Sequence, residues 1–205
     1  MRFLRIVLLA ALLVVVTAGA VRADEVTEAI NGANAEYARG NLKEASTHLQ
    51  TALVGVNQLL LDKLVEKLPA PPAGWKAEDA EGTDASALGF GMFAGLVVER
   101  DYTAPNGSTI ELVVAANSPM LATLRMFLSN PMLASMAGQS GMKKVSVCGS
   151  DAVQNFDDDS DTYEVSILAG NAMLITVTGD SKDDTGHIMT LANAIDCAGI
   201  VDIVE

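Results

Sequence analysis

The chain has 205 residues, with 13 Lys and Arg against 26 Asp and Glu, a net charge of −13, and half its residues apolar. A surplus of that sign repels nucleic acid and anionic lipid headgroups, so neither is an expected partner. Aromatic residues make up only 4%, so a core must be built from Val, Ile, Leu, Ala and Met.

Residues 1–23 read as a cleavable secretory signal. Arg2 and Arg5 form the positive start, and Ile6 to Val16 is an unbroken apolar run of the length such signals use. It is shorter than the roughly 20 residues that a permanent membrane helix needs. Small residues follow, and Val21-Arg22-Ala23 offers a cleavage site, with Ala18-Gly19-Ala20 as a nearby alternative. Cleavage after Ala23 removes three basic residues and no acids, leaving 182 residues with a net charge of −16. The expectation is an exported, periplasmic protein with no membrane span after cleavage.

Residues 24–68 read as a helical hairpin. Val26, Ile30, Ala33 and Tyr37 recur at helical spacing, Gly40-Asn41 breaks the run, and a second stripe follows from Leu42 through Leu49, Leu53 and Leu60 to Leu64. The stretch Ala35 to Ala52, with Tyr37, Gly40, Asn41, Ala45 and Ala52, resembles part of a tetratricopeptide repeat. Such repeats need neighbours to bury their faces, so one amphipathic hairpin is the plainer reading. Residues 69–84 open with Pro69-Ala70-Pro71-Pro72-Ala73-Gly74 and turn acidic. They read as a stiff linker and a domain boundary.

From residue 85 to 205 the apolar period changes to two. Phe90 to Thr103 reads as a strand, Pro105-Asn106-Gly107 as a hairpin turn, and Ile110, Leu112, Val114 and Ala116 as one face of the returning strand. Ser118-Pro119 starts a helix, which Asn130-Pro131 interrupts before a second turn to about Ala137. Val145 and Val147, then Ala152 to Phe156, Tyr163 to Leu168 and Ala172 to Thr178, mark four strands. Ser181 and Asp184 form a capping box for a last helix, with Ile188, Leu191, Ala192, Ile195 and Ala198 on its apolar face.

The fold class is therefore α+β: the N-terminal hairpin, then an antiparallel sheet of about six strands covered by two helices. Gly74-Trp75 before the first strand, the hairpin through Asn106-Gly107, the helix at Ser118-Pro119 and the closing meander and helix are similar to the PsbP-like α-β-α sandwich, over Gly74 to Ala198. That resemblance implies no single activity, since members bind proteins or serve as accessory subunits. It supplies no functional residues.

Candidate chemistry is sparse. A Ser-His-Asp set needs a His as base, and only His48 and His187 exist. Both sit in expected helices, and no Gly-x-Ser-x-Gly elbow accompanies them. Asp157, Asp158, Asp159 and Asp161 crowd one turn without the glycine of a calcium loop, so a solvated hairpin tip is the better reading. Gly89, Gly91 and Gly95 precede a strand, not the helix that a phosphate loop requires. Met120, Met126, Met132, Met136 and Met142 are soft thioethers, and Met132 and Met136 stand one helical turn apart, where they could share Cu(I). Met also fills irregular cores. Cys148 and Cys197 would be in an oxidising space after export. They stand either as a disulfide or as two separate thiols, and with no Cys-x-x-Cys they do not suggest a redox enzyme.

These observations point to a non-enzymatic periplasmic accessory or protein-binding module with an unidentified protein partner and no cofactor. The alternative is a small-ligand or Cu(I) carrier using the Met-rich segment.

Overall fold

Small and apolar residues recurring every three or four positions produce two helices, α1 over 23–38 and α2 over Leu42–Glu66. The structure, a computed structural model, describes residues 23–84, 95–118, 120–130, 142–157, 160–179 and 185–205. The leader, apart from Ala23, therefore lies outside the described residues, as do Gly89, Gly91, the Ser181–Asp184 capping box and the turn after Asn130. The helices are joined by a turn in which Gly40 takes φ +82°. The Gly40 amide donates to the Tyr37 carbonyl (3.0 Å) and the Asn41 amide to the Glu36 carbonyl (2.9 Å). That pair of bonds is the Schellman ending, which needs a left-handed residue and so favours glycine. The Glu36 carboxylate accepts from Asn41 Nδ2 at 2.6 Å, and this bond first, then Arg39, holds its pKa below the usual carboxylate value.

The chain is α+β: two N-terminal helices, then one antiparallel sheet with further helices packed on it. Its strands are β1 Lys76–Ala77, β2 Glu81–Asp84, β3 Leu96–Thr103, β4 Thr109–Ala116, β5 Lys143–Val147, β6 Ser150–Asp157, β7 Thr162–Ala169 and β8 Met173–Gly179. They lie in the order β1-β3-β4-β8-β7-β6-β5, with β2 also paired on β3. The helices are α3 Met120–Ser129, α4 Thr185–Asn193 and α5 Cys197–Val204.

Two features depart from the expectation. The stretch 69–84 supplies β1 and β2, which pair in succession along β3 and raise the strand number among the described residues to eight. Charge such as Lys76, Glu81 and Asp84 looks like linker composition, yet it is also what an edge strand carries to discourage further pairing; the prolines precede both strands. The opposite edge, β5, begins with Lys143 and Lys144 for the same reason. The expected single last helix is two, bent by 53° between Asn193 and Cys197. Asp196 caps the second of them, accepting from the Gly199 amide at 3.0 Å. No single described helix is long and apolar enough to cross a membrane, although the bent α4–α5 pair passes by length and composition together.

The core lies on one face of the sheet. Register stacks Val98, Val114, Ile175, Ile167 and Ala152 in one row across five strands, and Leu112, Val177 and Val165 in the next. All of these are fully buried. Ile188 and Leu191 of α4, Ile200 of α5 and Leu61 and Leu64 from the end of α2 complete the cluster. Each such side chain removed from water contributes about 2 kcal/mol. The chain divides into two units inside α2, between Leu59 and Leu60, so the last turns of α2 belong to the sheet unit.

Tyr102 is wholly buried, and its hydroxyl donates to the Pro69 carbonyl at 2.9 Å. Tyr102→Phe leaves that carbonyl without its donor and is expected to lower the unfolding free energy by about 1–2 kcal/mol in urea denaturation. An unchanged midpoint would mean that water already serves Pro69.

Candidate functional site

The hairpin is built on small residues. Ala29 and Ala33 of α1, four residues apart, and Ala45 and Ala52 of α2, seven apart, are buried on two antiparallel helices. The His48 ring lies 2.8 Å from where a Cβ on Gly32 would stand, and a Val26 methyl 2.5 Å from that of Gly55. Close approach at these glycines replaces bulky interdigitation, so the large apolar side chains are left outside. Ile30, Tyr37, Leu42, Leu49, Leu53 and Val56 are all exposed, from 38% for Val56 to 71% for Tyr37.

Their positions form one surface. At about 100° per residue, Leu42, Leu49, Leu53 and Val56 fall within roughly 60° of arc on α2. Ile30 and Tyr37 share a similarly narrow stripe on α1. Each stripe is displaced in the same rotational sense from the buried alanines of its helix. Because the helices run antiparallel, both stripes therefore look out from the same side of the hairpin. Residues 45–61 of α2 contain no Asp, Glu, Lys or Arg, so nothing charged interrupts that part of this side. This apolar side stands open to water.

The sheet carries a second concentration of functional groups on the face opposite the core. Glu99 and Asp101 of β3 and Glu111 of β4 bring carboxylate oxygens within 4.8 Å of one another. Asp101 stands directly across from Glu111, and Glu81 across from Glu99, where like charges oppose pairing. Burial, then Glu99, Glu78 and Glu81, push the Asp101 pKa up. Burial, then a hydrogen bond and charge from Glu99, do the same for Glu111. With one oxygen from each residue, the group supplies three of the six to eight oxygen ligands that calcium takes.

A carboxyl whose folded pKa exceeds its unfolded value binds its proton more tightly when folded. Stability then falls as pH rises from the ordinary values of 3.8 and 4.5 through the raised ones, and the loss is complete above them. Glu111→Gln removes the repulsion. It is expected to raise Tm at pH 7 by about 2 °C, with the gain vanishing below the ordinary values. A gain of equal size at acid pH would show that the charge is not its cause.

Of the residues singled out in the sequence, the structure brings together the two cysteines. Met132 and Met136 lie outside the described residues, while Met120 and Met126 are exposed on α3. Cys148 and Cys197 form a disulfide with Cα atoms 6.0 Å apart, tying the β5–β6 turn to the start of α5. His48 lies in the hairpin interface. The His187 ring centroid is 5.3 Å from that of Trp75, with the planes tilted by 48°. Neither His is paired with a Ser and a carboxylate among the described contacts. Of the acidic turn, Asp158 and Asp159 lie outside the described residues.

A groove of about 480 Å³ beside α3 is lined by Arg125, Leu128, Ser129, Asp151, Leu168 and Gly170. Its cation is committed to structure: Arg125 donates to the carbonyls of Gly170 (3.2 Å) and Asn171 (2.5 Å). The Glu205 carboxylate accepts from the amides of Asn171 and Ala172 at the same turn. Both side chains hold the β7–β8 connection.

Sequence reasoning passed over the carboxylate group. The signal was present, because Glu99 and Asp101 alternate on one strand and the turn at Asn106-Gly107 sets which residue of the next strand faces them. The exposed hairpin face was concealed differently: its leucines have helical spacing, and the same spacing serves a buried stripe.

No family model matches the chain, and no curated protein matches it. Among solved structures, a GTP binding regulator from Thermotoga maritima is similar over 66% of this chain and 88% of that one, at 12% identity and a TM-score of 0.38. A likeness of that size carries no argument about fold or function.

Proposed function

We propose that this chain is an exported, non-enzymatic periplasmic accessory protein that acts through protein contacts, with the helical hairpin as its binding element. The observation that carries this reading is the continuous, uncharged apolar face formed by Ile30, Tyr37, Leu42, Leu49, Leu53 and Val56. Its character is that of a surface which takes a helix by its apolar ridges. The leader at Met1 to Ala23, with its charged start and apolar run, supports export. The resemblance to the PsbP-like sandwich over Gly74 to Ala198 supports an accessory role. The acidic balance of the chain disfavours nucleic acid and anionic membranes as targets.

The test is recovery of partners from periplasmic extract on the full chain and on the chain carrying Leu49→Glu and Leu53→Glu. A protein retained by the first and lost by the second supports the reading. Recovery of the same proteins by both would place the binding surface elsewhere.

A further inference from the structure

We infer that the partner of the hairpin face is the same face of a second copy of this chain, the two hairpins closing as a symmetric four-helix bundle. The inference rests on the protein-binding reading above and names the occupant of that site.

Charge is the first argument. Two copies of a chain with this acidic surplus repel each other over most of their surface. They approach at least cost where neither carries charge, and residues 45–61 provide such a stretch. A basic partner would gain nothing here and would be drawn instead to the carboxylates of β3 and β4.

Spacing is the second. Leu42, Leu49, Leu53 and Val56 are separated by seven, four and three residues, the repeat that keeps one seam facing a neighbouring helix. A two-fold contact requires a surface complementary to itself. Leu49 and Leu53, at the middle of the patch, would lie either side of the axis and interdigitate with their symmetry mates.

Area is the third. At roughly 100 Å² of open surface for each of the six side chains, one copy offers about 600 Å² and a pair about 1,200 Å². That reaches the lower end of the range for stable specific interfaces, about 1,200–2,000 Å². The hairpin's own contact is made of Ala29, Ala33, Ala45 and Ala52, with Val26 and His48 seated on Gly55 and Gly32, so the six exposed side chains lie outside it. A four-helix bundle would place them at its centre.

Sedimentation velocity of the chain, exported and purified from periplasm, tests this over roughly 1–200 μM, the range in which an interface of this small size should dissociate. The expected result is a monomer–dimer equilibrium. Leu49→Glu with Leu53→Glu should leave only monomer, and the milder Leu49→Ala with Leu53→Ala should weaken the dimer about tenfold while keeping a strong helix former. Val54→Glu, exposed on another side of α2, should leave the dimer intact. Monomer at every concentration, or a dimer indifferent to both leucine pairs, overturns the inference. If the chain is monomeric yet the glutamate variant still loses a protein from extract, self-pairing fails and the binding reading survives. If neither dimer nor extract partner responds, both fail.

Discussion

Replacing both cysteines, Cys148→Ala with Cys197→Ala, is expected to lower the unfolding free energy by about 4 kcal/mol. The bond closes a loop with a sequence separation of 49, and that loop contains β6, β7, β8 and α4. Opening it returns to the unfolded chain the freedom that the cross-link removes. In a chain of this size the loss corresponds to a fall in Tm of roughly 8–16 °C, read by circular dichroism with and without reductant. Backbone geometry gives the substitution a second handle. Cys148 has φ +47°, a left-handed conformation that costs a residue with a Cβ about 1–2 kcal/mol. Cys148→Gly with Cys197→Ala should therefore recover about 1 kcal/mol relative to the double alanine. Identical melts for the oxidised and reduced protein would contradict the first expectation, and equal stability of the two double variants the second.

The same region shows why some elements were legible in the sequence and others were not. Ile110, Leu112, Val114 and Ala116 stand at every second position, separated by Glu111, Val113 and Ala115, and all four are buried on the core face. A period of two is a local signal, and β4 needed nothing else. The hairpin turn was equally local, since Gly107 takes φ +92° after Pro105-Asn106, a three-residue loop ending in a left-handed residue. The bend between α4 and α5 had no comparable mark. Residues 194–196 hold neither Pro nor Gly, and Ile195 continues the apolar stripe. Asp196 caps the new helix from within the segment, and the Cys197 link to the β5–β6 turn and Lys67, which donates to Asp196 at 2.9 Å, hold the break from outside. β1 and β2 were obscured because an edge strand need not alternate. Lys76-Ala77 and Glu81–Asp84 have almost no buried side chains, and only their pairing with β3 makes them strands. The carboxylate group required the β3–β4 register as well as the residues. The apolar hairpin face required knowing that alanines, not leucines, occupy the helix contact.

A fragment beginning at residue 69 is expected to fail as a folded unit, whereas one beginning at Leu60 should unfold cooperatively. Composition places the boundary in the stretch 69–84, which opens at Pro69 where the helix ends and proline accumulates. Packing places it between Leu59 and Leu60, within α2. The difference is the segment carrying Leu61, Leu64 and Leu68, which are 2%, 0% and 8% exposed and belong to the sheet's core cluster. At about 2 kcal/mol each they contribute about 6 kcal/mol, within the whole stability of an ordinary domain, about 5–15 kcal/mol. Their removal would also open the core side of Gly82, where Leu61 Cβ stands 3.3 Å from the position of an added Cβ, and would delete Lys67 from Asp196. Thermal melts of residues 60–205 and 69–205 check this directly: a sharp transition for the first and none, or one lowered by more than about 12 °C, for the second. Equal transitions would return the boundary to the proline run. The outcome also governs how the hairpin is tested, since a deletion through residue 68 would unfold the sheet and lose any partner for that reason alone. Substitutions at Leu49 and Leu53, ahead of the boundary and outside the core cluster, separate binding from folding.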